Sequence, residues 1–373
     1  MGIEVVPYTP DRVEAVAAFN RRLAQGGSPW GWYEQSEDAW LPRRPGGKVW
    51  REHYLAVEDG SQVRAAYALK PQEWWLRGEP VVVTDWQGPV SEGVISRRYN
   101  TLALRMMRDM LNRRPLLYAW GHGEDEAGLA RLLRAMRWSF VPTPFCLKIL
   151  RPQRFLRRNA YLRGSPQSRL ALDVLAFTGL GGLGLKALDA ARSIGRHRPR
   201  GVEIRVVERF GPWADDLWER CRGHYAVLGL RDRATLNALM PEGGWPAAIR
   251  LRVARAGADL GWVAVLDNRL EGDRRFGDLR VGTVMDALAA PEDAADVVAV
   301  ASRFLAERGV DLLCSNQSHP RWIDAFASSG YLVLQGRRQL VLSPELRRRL
   351  EPLDEARRGL YLTNLDGHGP HGF

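Results

Sequence analysis

Proton transfer requires side chains that titrate or donate near neutral pH, and only a few segments of this chain present them. His122 sits in Trp120-Gly121-His122-Gly123-Glu124-Asp125, where flanking glycines let an imidazole approach a ligand closely. Asp85 closes the apolar run Val81–Asp85, and Glu92 stands in the polar stretch after it, so both are candidate general bases. Tyr118, just upstream of His122, is a candidate acid. In the second half of the chain, His224-Tyr225 and Asn316-Gln317-Ser318-His319 have the polarity of a ligand pocket. His368 and His371 lie on a glycine-rich end without a third ligand, so no metal is expected. The sequence has no Cys-x-x-Cys pair, nucleophile elbow, phosphate-binding Walker loop or His-Glu-x-x-His helix.

The elements that must position these residues recur in one order. The chain has 373 residues, 45% hydrophobic and 26% charged, which suits two folded domains. Its three scattered cysteines fit a reducing compartment, and Met1–Asp11 lacks the basic and apolar regions of a secretory leader, so a cytoplasmic location is expected. The first half reads as strand 3–6, helix 11–23, a hairpin 54–58/64–70 around Asp59-Gly60, strand 81–85, helix 96–112, strand 116–120, helix 127–136 and a closing strand pair 138–150. The second half repeats the scheme with strands at 202–207, 249–254, 261–266, 282–286 and 310–314, helices at 213–225, 292–307 and 320–327, and a closing pair at 331–342. The expected class is α/β in two copies, each a mixed, mostly antiparallel sheet flanked by helices. The domains are placed at 1–150 and 201–345, with a linker at 151–200 and a tail at 346–373.

The charge is uneven. Of a net +11, residues 151–200 hold +9, as ten arginines and a lysine against Asp173 and Asp189. These charges bracket Leu170–Leu188, which has too many glycines and charges for a membrane span. Three readings stay open for this segment: a helix packed between domains, peripheral contact with an anionic membrane, or contact with a polyanion such as RNA. Fourteen tryptophans are many for this length, and Gly26–Tyr33 is a loop whose aromatics suit core or lid packing, or stacking on a sugar ring or acyl chain.

This element order resembles the GNAT acyltransferase fold, and the doubled layout resembles tandem GNAT proteins of bacterial polysaccharide and envelope clusters, more distantly the Fem-type aminoacyltransferases. The family motif, Arg/Gln-x-x-Gly-x-Gly/Ala between the fourth strand and the next helix, holds the CoA pyrophosphate on main-chain N–H groups. Gln87 matches its first position, while Val90 and Glu92 stand where glycines belong. The resemblance places the donor at Gln87, Val90, Ser91, Gly93, Ser96, Arg97 and Arg98; a Glu92 carboxylate facing the diphosphate would repel it, and the two arginines would supply compensating charge. The second copy has three acids, Glu292, Asp293 and Asp296, and no glycine at this point, so it is not expected to hold CoA.

The resemblance implies an N-acyltransferase using acetyl-CoA or another acyl-CoA, with no metal. The general bases would be Asp85, Glu92 or His122 and the acid Tyr118. The acceptor would be an amino sugar or related envelope precursor, lying between the domains near His224, Tyr225, Asn316, Gln317 and His319. Contact of 151–200 with the inner face of the membrane would suit a lipid-linked acceptor. Two other readings accompany this one: a Fem-like transferase fed by aminoacyl-tRNA, the only case in which nucleic acid is expected, and a non-catalytic GNAT pair acting as an interaction protein.

Overall fold

The computed structural model describes residues 2–36, 40–122, 128–160, 162–163, 167, 197–243, 248–273, 276–335 and 339–367. Along the chain come β1 (Ile3–Pro7), α1 (Val13–Gln25), β2 (Glu52–Glu58), β3 (Gln62–Leu76), β4 (Glu79–Ser91), α2 (Leu102–Arg113), β5 (Leu117–His122), α3 (Gly128–Ala135), β6 (Ser139–Pro142), β7 (Phe145–Ile149) and α4 (Pro152–Arg158). There follow β8 (Val202–Val207), α5 (Trp213–Cys221), β9 (Val227–Gly229), α6 (Arg233–Leu239), β10 (Ile249–Arg255), β11 (Ala258–Arg269), β12 (Arg280–Ala289), α7 (Ala294–Glu307), β13 (Leu312–Asn316) and α8 (Pro320–Ser328). The chain ends with β14 (Leu332–Leu334), β15 (Gln339–Leu342), α9 (Pro344–Arg349), α10 (Leu353–Gly359) and β16 (Leu360–Tyr361).

These elements form two compact units built from non-contiguous stretches. Unit 1 comprises Met1–Val141, Arg338–Ala356 and Asp366–His368, and unit 2 comprises Pro142–Arg337, Arg357–Leu365 and Gly369–Phe373. The sheet of unit 1 runs β1-β2-β3-β4-β5-β15-β6, and that of unit 2 runs β14-β7-β13-β12-β11-β10-β8.

In unit 1 the strand alternation sorts side chains to two faces. Ala65, Tyr67 and Leu69 of β3 meet Met106, Met107 and Met110 of α2 on one face. Ala66 and Ala68 leave room for Phe19 and Leu23 of α1 on the other. The methionines of α2 turn inward and Arg105 and Arg108 outward, as the helical spacing requires. The Asp59-Gly60 hairpin forms where expected, with both residues in the left-handed region at φ 51° and 72°. Its counterpart in unit 2 is Ala256-Gly257, at φ 48° and 81°.

Three expectations are corrected. The helix expected from Ser96 begins at Leu102, because Arg97–Tyr99 is a 3-10 turn. Both Tyr99 and Arg98 reach to Glu58, at 2.9 Å each, and this holds the segment in the tighter turn. The fourth strand runs to Ser91, so the expected loop at Gln87–Ser91 is strand. The closing pairs 138–150 and 331–342 are not hairpins: β6 lies beside β15, and β7 lies between β13 and β14. β6 ends in Pro142 and only Thr143-Pro144 separates it from β7, and prolines hold the residues before them extended, which opposes a tight turn.

Of the basic segment, α4 is the described helix; the apolar stretch Leu170–Leu188, with the membrane contact expected of it, lies outside the described residues. Among the described residues no helix is long and apolar enough to cross a membrane.

Candidate active site

In unit 1, β4 and β5 are parallel but pair only at Thr84 with Leu117 and at Asp85 with Tyr118. Both strands continue, to Ser91 and His122, so beyond Asp85 they part. A bulge accompanies the parting: Ala66 faces Val90 while Ala68 faces Gln87, leaving β4 one residue too long. Gly88 absorbs the excess at φ 54°, a conformation that strains any residue with a β-carbon. Unit 2 repeats the device. There β12 and β13 pair from Val281–Leu312 to Thr283–Cys314, and β12 bulges between Val284 and Asp286.

The parting in unit 1 exposes main chain and a polar centre to each other. Asp85 is fully buried and directly opposite Lys70 of β3. Its Oδ2 accepts a hydrogen bond from Gln87 Nε2 at 2.7 Å, and Oδ1 is buried without a hydrogen bond of good geometry. Burial pushes the Asp85 carboxyl up to about 7, against the opposing pull of the Lys70 ammonium and the Gln87 hydrogen bond. Lys70 Nζ donates to the carbonyl of Asp366 at 2.6 Å and to that of Gly367. Tyr118 Oη donates to Asp366 O, and Gln87 Nε2 reaches Gly367 O at 3.3 Å. Three side chains thus converge on two carbonyls of the chain's own C-terminal segment. Gly367 suits that path, since a β-carbon there would lie 2.5 Å from Trp120 Cδ1.

The residues expected around the pyrophosphate divide. Gln87 turns inward to Asp85, and Val90 packs on the core beneath α1. Ser91 Oγ accepts from the Gly93 main chain at 3.0 Å. Gly93 lies so close to Tyr99 O that a β-carbon would meet it at 2.8 Å. Glu92, expected as an open base, is buried with one oxygen 2.7 Å from Arg22 Nε and the other 2.9 Å from Arg64 Nη1. This pairing answers the charge problem it posed for a bound anion, but engages both oxygens. Ser96 makes no side-chain cap, Arg98 pairs with Glu58, and Arg97 is exposed with no ion pair among the described residues. His122 ends β5 opposite Gln339.

The matching centre of unit 2 is closed by its own side chains. Asp286, fully buried, takes Arg231 Nε at 3.0 Å on one oxygen, and Arg231 Nη2 at 3.1 Å with Thr363 Oγ1 at 2.9 Å on the other. The carbonyls of the parting β12 are also occupied: Ser315 Oγ donates to Val284 O, Tyr361 Oη to Ala287 O and Tyr225 Oη to Ala289 O, each at 2.7 Å. Trp322 Nε1 donates to Tyr225 Oη at 2.8 Å. Of the residues expected to line a pocket here, Tyr225 and His319 come together with ring centroids 5.0 Å apart, and Asn316 and Gln317 are buried at the end of β13. His224 is exposed. Burial, assisted by the Arg321 charge, pushes the His319 imidazole down to about 4, so it is neutral at physiological pH.

Sequence reasoning passed over Lys70, Arg231, Asp286 and the segment Tyr361–Gly367. Lys70 and Asp286 each carry a signal, a lone charge inside an apolar strand, as in Ala65-Ala66-Tyr67-Ala68-Leu69-Lys70 and Val281-Gly282-Thr283-Val284-Met285-Asp286. Such a charge must find a buried partner. Among the described residues no three His, Cys, Asp or Glu side chains cluster as a metal site.

No protein-family model matches the sequence, and no curated protein matches it. Solved structures do share its fold. A conserved protein from Enterococcus faecalis described as a probable N-acyltransferase aligns with a TM-score of 0.52 at 10% identity, over 94% of this chain and 74% of that one. A GCN5-related N-acetyltransferase from Anabaena variabilis aligns at 0.50 and 10% identity, over 91% and 72%. The fold is that of the GNAT acyltransferases. A tandem GNAT protein from the clavulanic acid pathway aligns at 0.46 and 13% identity, over 91% and 97%.

Proposed function

We propose that the protein is a GNAT-type N-acyltransferase whose unit 1 moves an acyl group from acyl-CoA to a primary amine. The observation that carries this reading is a buried carboxyl with an affinity for protons balanced near neutrality, placed where β4 and β5 part. Asp85 takes a proton from the acceptor's ammonium, and the free amine attacks the thioester carbonyl. As the carbon–sulfur bond breaks, the departing thiolate takes a proton from Tyr118, whose hydroxyl shifts from Asp366 O to the sulfur. Tyr118 is restored by the proton that the attacking nitrogen loses as the amide forms. Arg97 and Arg98, beside the start of α2, supply charge for the donor's phosphates. Glu92 serves the turn through Arg22 and Arg64, and Asp85 takes the role of base. An amino sugar is the acceptor favoured by the sequence resemblance.

Calorimetric titration with acetyl-CoA and longer acyl-CoAs, followed by a thiol-release assay over a panel of amines including glucosamine, tests this reading. Saturable binding with amine-dependent thiol release is expected. Absence of heat with every acyl-CoA would overturn it and leave the Fem-like transferase and the non-catalytic pair.

A further inference from the structure

Apart from its polar centre, unit 2 has a cavity of about 750 Å³ walled by arginine. Arg151, Arg154 and Arg158 enter it from α4 and the residue before, spaced to share one helix face. Arg269 ends β11, Arg280 opens β12 and Arg308 follows α7. Since β12 runs six residues from Arg280 to Asp286, the cavity and the polar centre are about 20 Å apart along that strand.

Two aspartates with covered side chains fix four of the six arginines. Asp311 Oδ1 lies 3.1 Å from Arg154 Nη1 and 3.6 Å from Arg151 Nη1. Asp267 takes Arg280 on both oxygens at 2.7 Å and Arg308 Nε at 2.8 Å. The Arg280 hydrogen bonds hold the Asp267 carboxyl below its usual range. One carboxylate cannot neutralise two guanidinium groups, so each set keeps a positive excess. The four side chains remain between 33% and 48% exposed, which leaves donors for a ligand. Arg158 and Arg269 are exposed and have no ion pair among the described residues. Gly309 brings main chain beneath the cluster: a β-carbon there would stand 3.1 Å from Arg151 Nη2. The opposing charges are Glu271 and Asp278 in the lining, and Asp278 Oδ1 is already taken by the Gly272 main chain at 2.8 Å.

We propose that this cavity binds a small ligand through two or more adjacent phosphate groups. Guanidinium forks match phosphate oxygens, the volume is that of a small-molecule site, and a single phosphate would leave most of the wall unanswered. Three of the six arginines belong to the basic segment 151–200, so part of its excess charge gains a use here. The diphosphate has two sources, a soluble ester or a lipid headgroup, and the test separates them.

The full chain is titrated at low salt with inorganic pyrophosphate and with ADP, and co-sedimented with phosphatidylcholine vesicles with and without diacylglycerol pyrophosphate. The double variant R158A/R269A removes two arginines that hold no other side chain in place. For a soluble source, pyrophosphate and ADP bind and the variant weakens them by about tenfold or more. For a headgroup source, the variant releases the chain from the diphosphate vesicles and free pyrophosphate competes. Binding that the variant leaves unchanged, as it would be at unit 1, overturns the proposal. So does no binding to any probe.

Discussion

Each unit buries one aspartate where two parallel strands part, and the two are held in opposite ways. Asp85 faces an ammonium across the strand pair, gives one oxygen to Gln87 and has no good hydrogen bond on the other. Asp286 is forked by Arg231 and capped by Thr363. A forked guanidinium immobilises a carboxylate, whereas one neutral donor leaves it able to exchange a proton. The carbonyls of the parting strand in unit 2 are closed by Ser315, Tyr361 and Tyr225. Both units keep the same bulged strand; the aspartate beside it is paired with Arg231 in unit 2 and hydrogen-bonded by Gln87 in unit 1.

The sharpest way to break this contrast is to neutralise each aspartate in turn. Asp85→Asn should lower amine-dependent thiol release by about 10²–10⁴-fold with acyl-CoA binding kept. The wild-type rate should rise with pH through about 7, because a protonated Asp85 cannot accept the ammonium's proton. Asp286→Asn should leave the chemistry of unit 1 in place. It should instead cost unit 2 about 3–5 kcal/mol, read by calorimetric unfolding, since Arg231 is then a buried charge without its counter-ion. Equal losses of turnover in the two variants, with no change in unfolding, would abolish the distinction.

A smaller effect sharpens the contrast through acid. Burial holds the His319 imidazole down to about 4, below the ordinary value of 6.5. Between those values the unfolded chain binds more protons, so this histidine's contribution to stability is full above pH 6.5 and lost as pH falls toward 4. The shift corresponds to about 3 kcal/mol. His319→Phe, which keeps an aromatic ring against Tyr225 and Tyr361, should flatten the unfolding profile of unit 2 in that window. An unchanged acid sensitivity would remove His319 as its cause.

Much of the fold was legible because local signals agreed with tertiary packing. Asp59-Gly60 specified its hairpin, the Met106, Met107 and Met110 spacing specified the buried face of α2, and the repeated order of elements specified two mixed sheets flanked by helices. The centres were less legible because their partners are distant in sequence. Lys70 and Asp366 are 296 residues apart, and nothing local to either announces the other. Arg231 and Asp286 are 55 residues apart and meet only after β12 has bulged. Glu92 looked like an open loop carboxylate because Arg22 and Arg64 reach it from α1 and β3. The sorting of β7 and β15 into separate sheets was hidden for a similar reason, since strand pairing beyond a hairpin leaves no local pattern.

The smallest effect compares two tyrosines that look alike by burial. Tyr118 and Tyr361 are both fully buried, and each hydroxyl donates to a main-chain carbonyl, Asp366 O in unit 1 and Ala287 O in unit 2. Removing either hydroxyl leaves a buried carbonyl short of one donor, so Tyr118→Phe and Tyr361→Phe should each cost about 1 kcal/mol of stability. Asp366 O retains Lys70 as a second donor, which keeps the Tyr118→Phe cost at the low end. Turnover separates the pair. If Tyr118 protonates the departing thiolate, its phenylalanine variant slows thiol release beyond anything its stability loss explains, and it slows it less for acyl donors whose thiols are more acidic. Tyr361→Phe should show neither effect. Equal turnover in both variants would make the Tyr118 hydroxyl a structural donor like its counterpart, and would leave Asp85 as the acid–base group of unit 1.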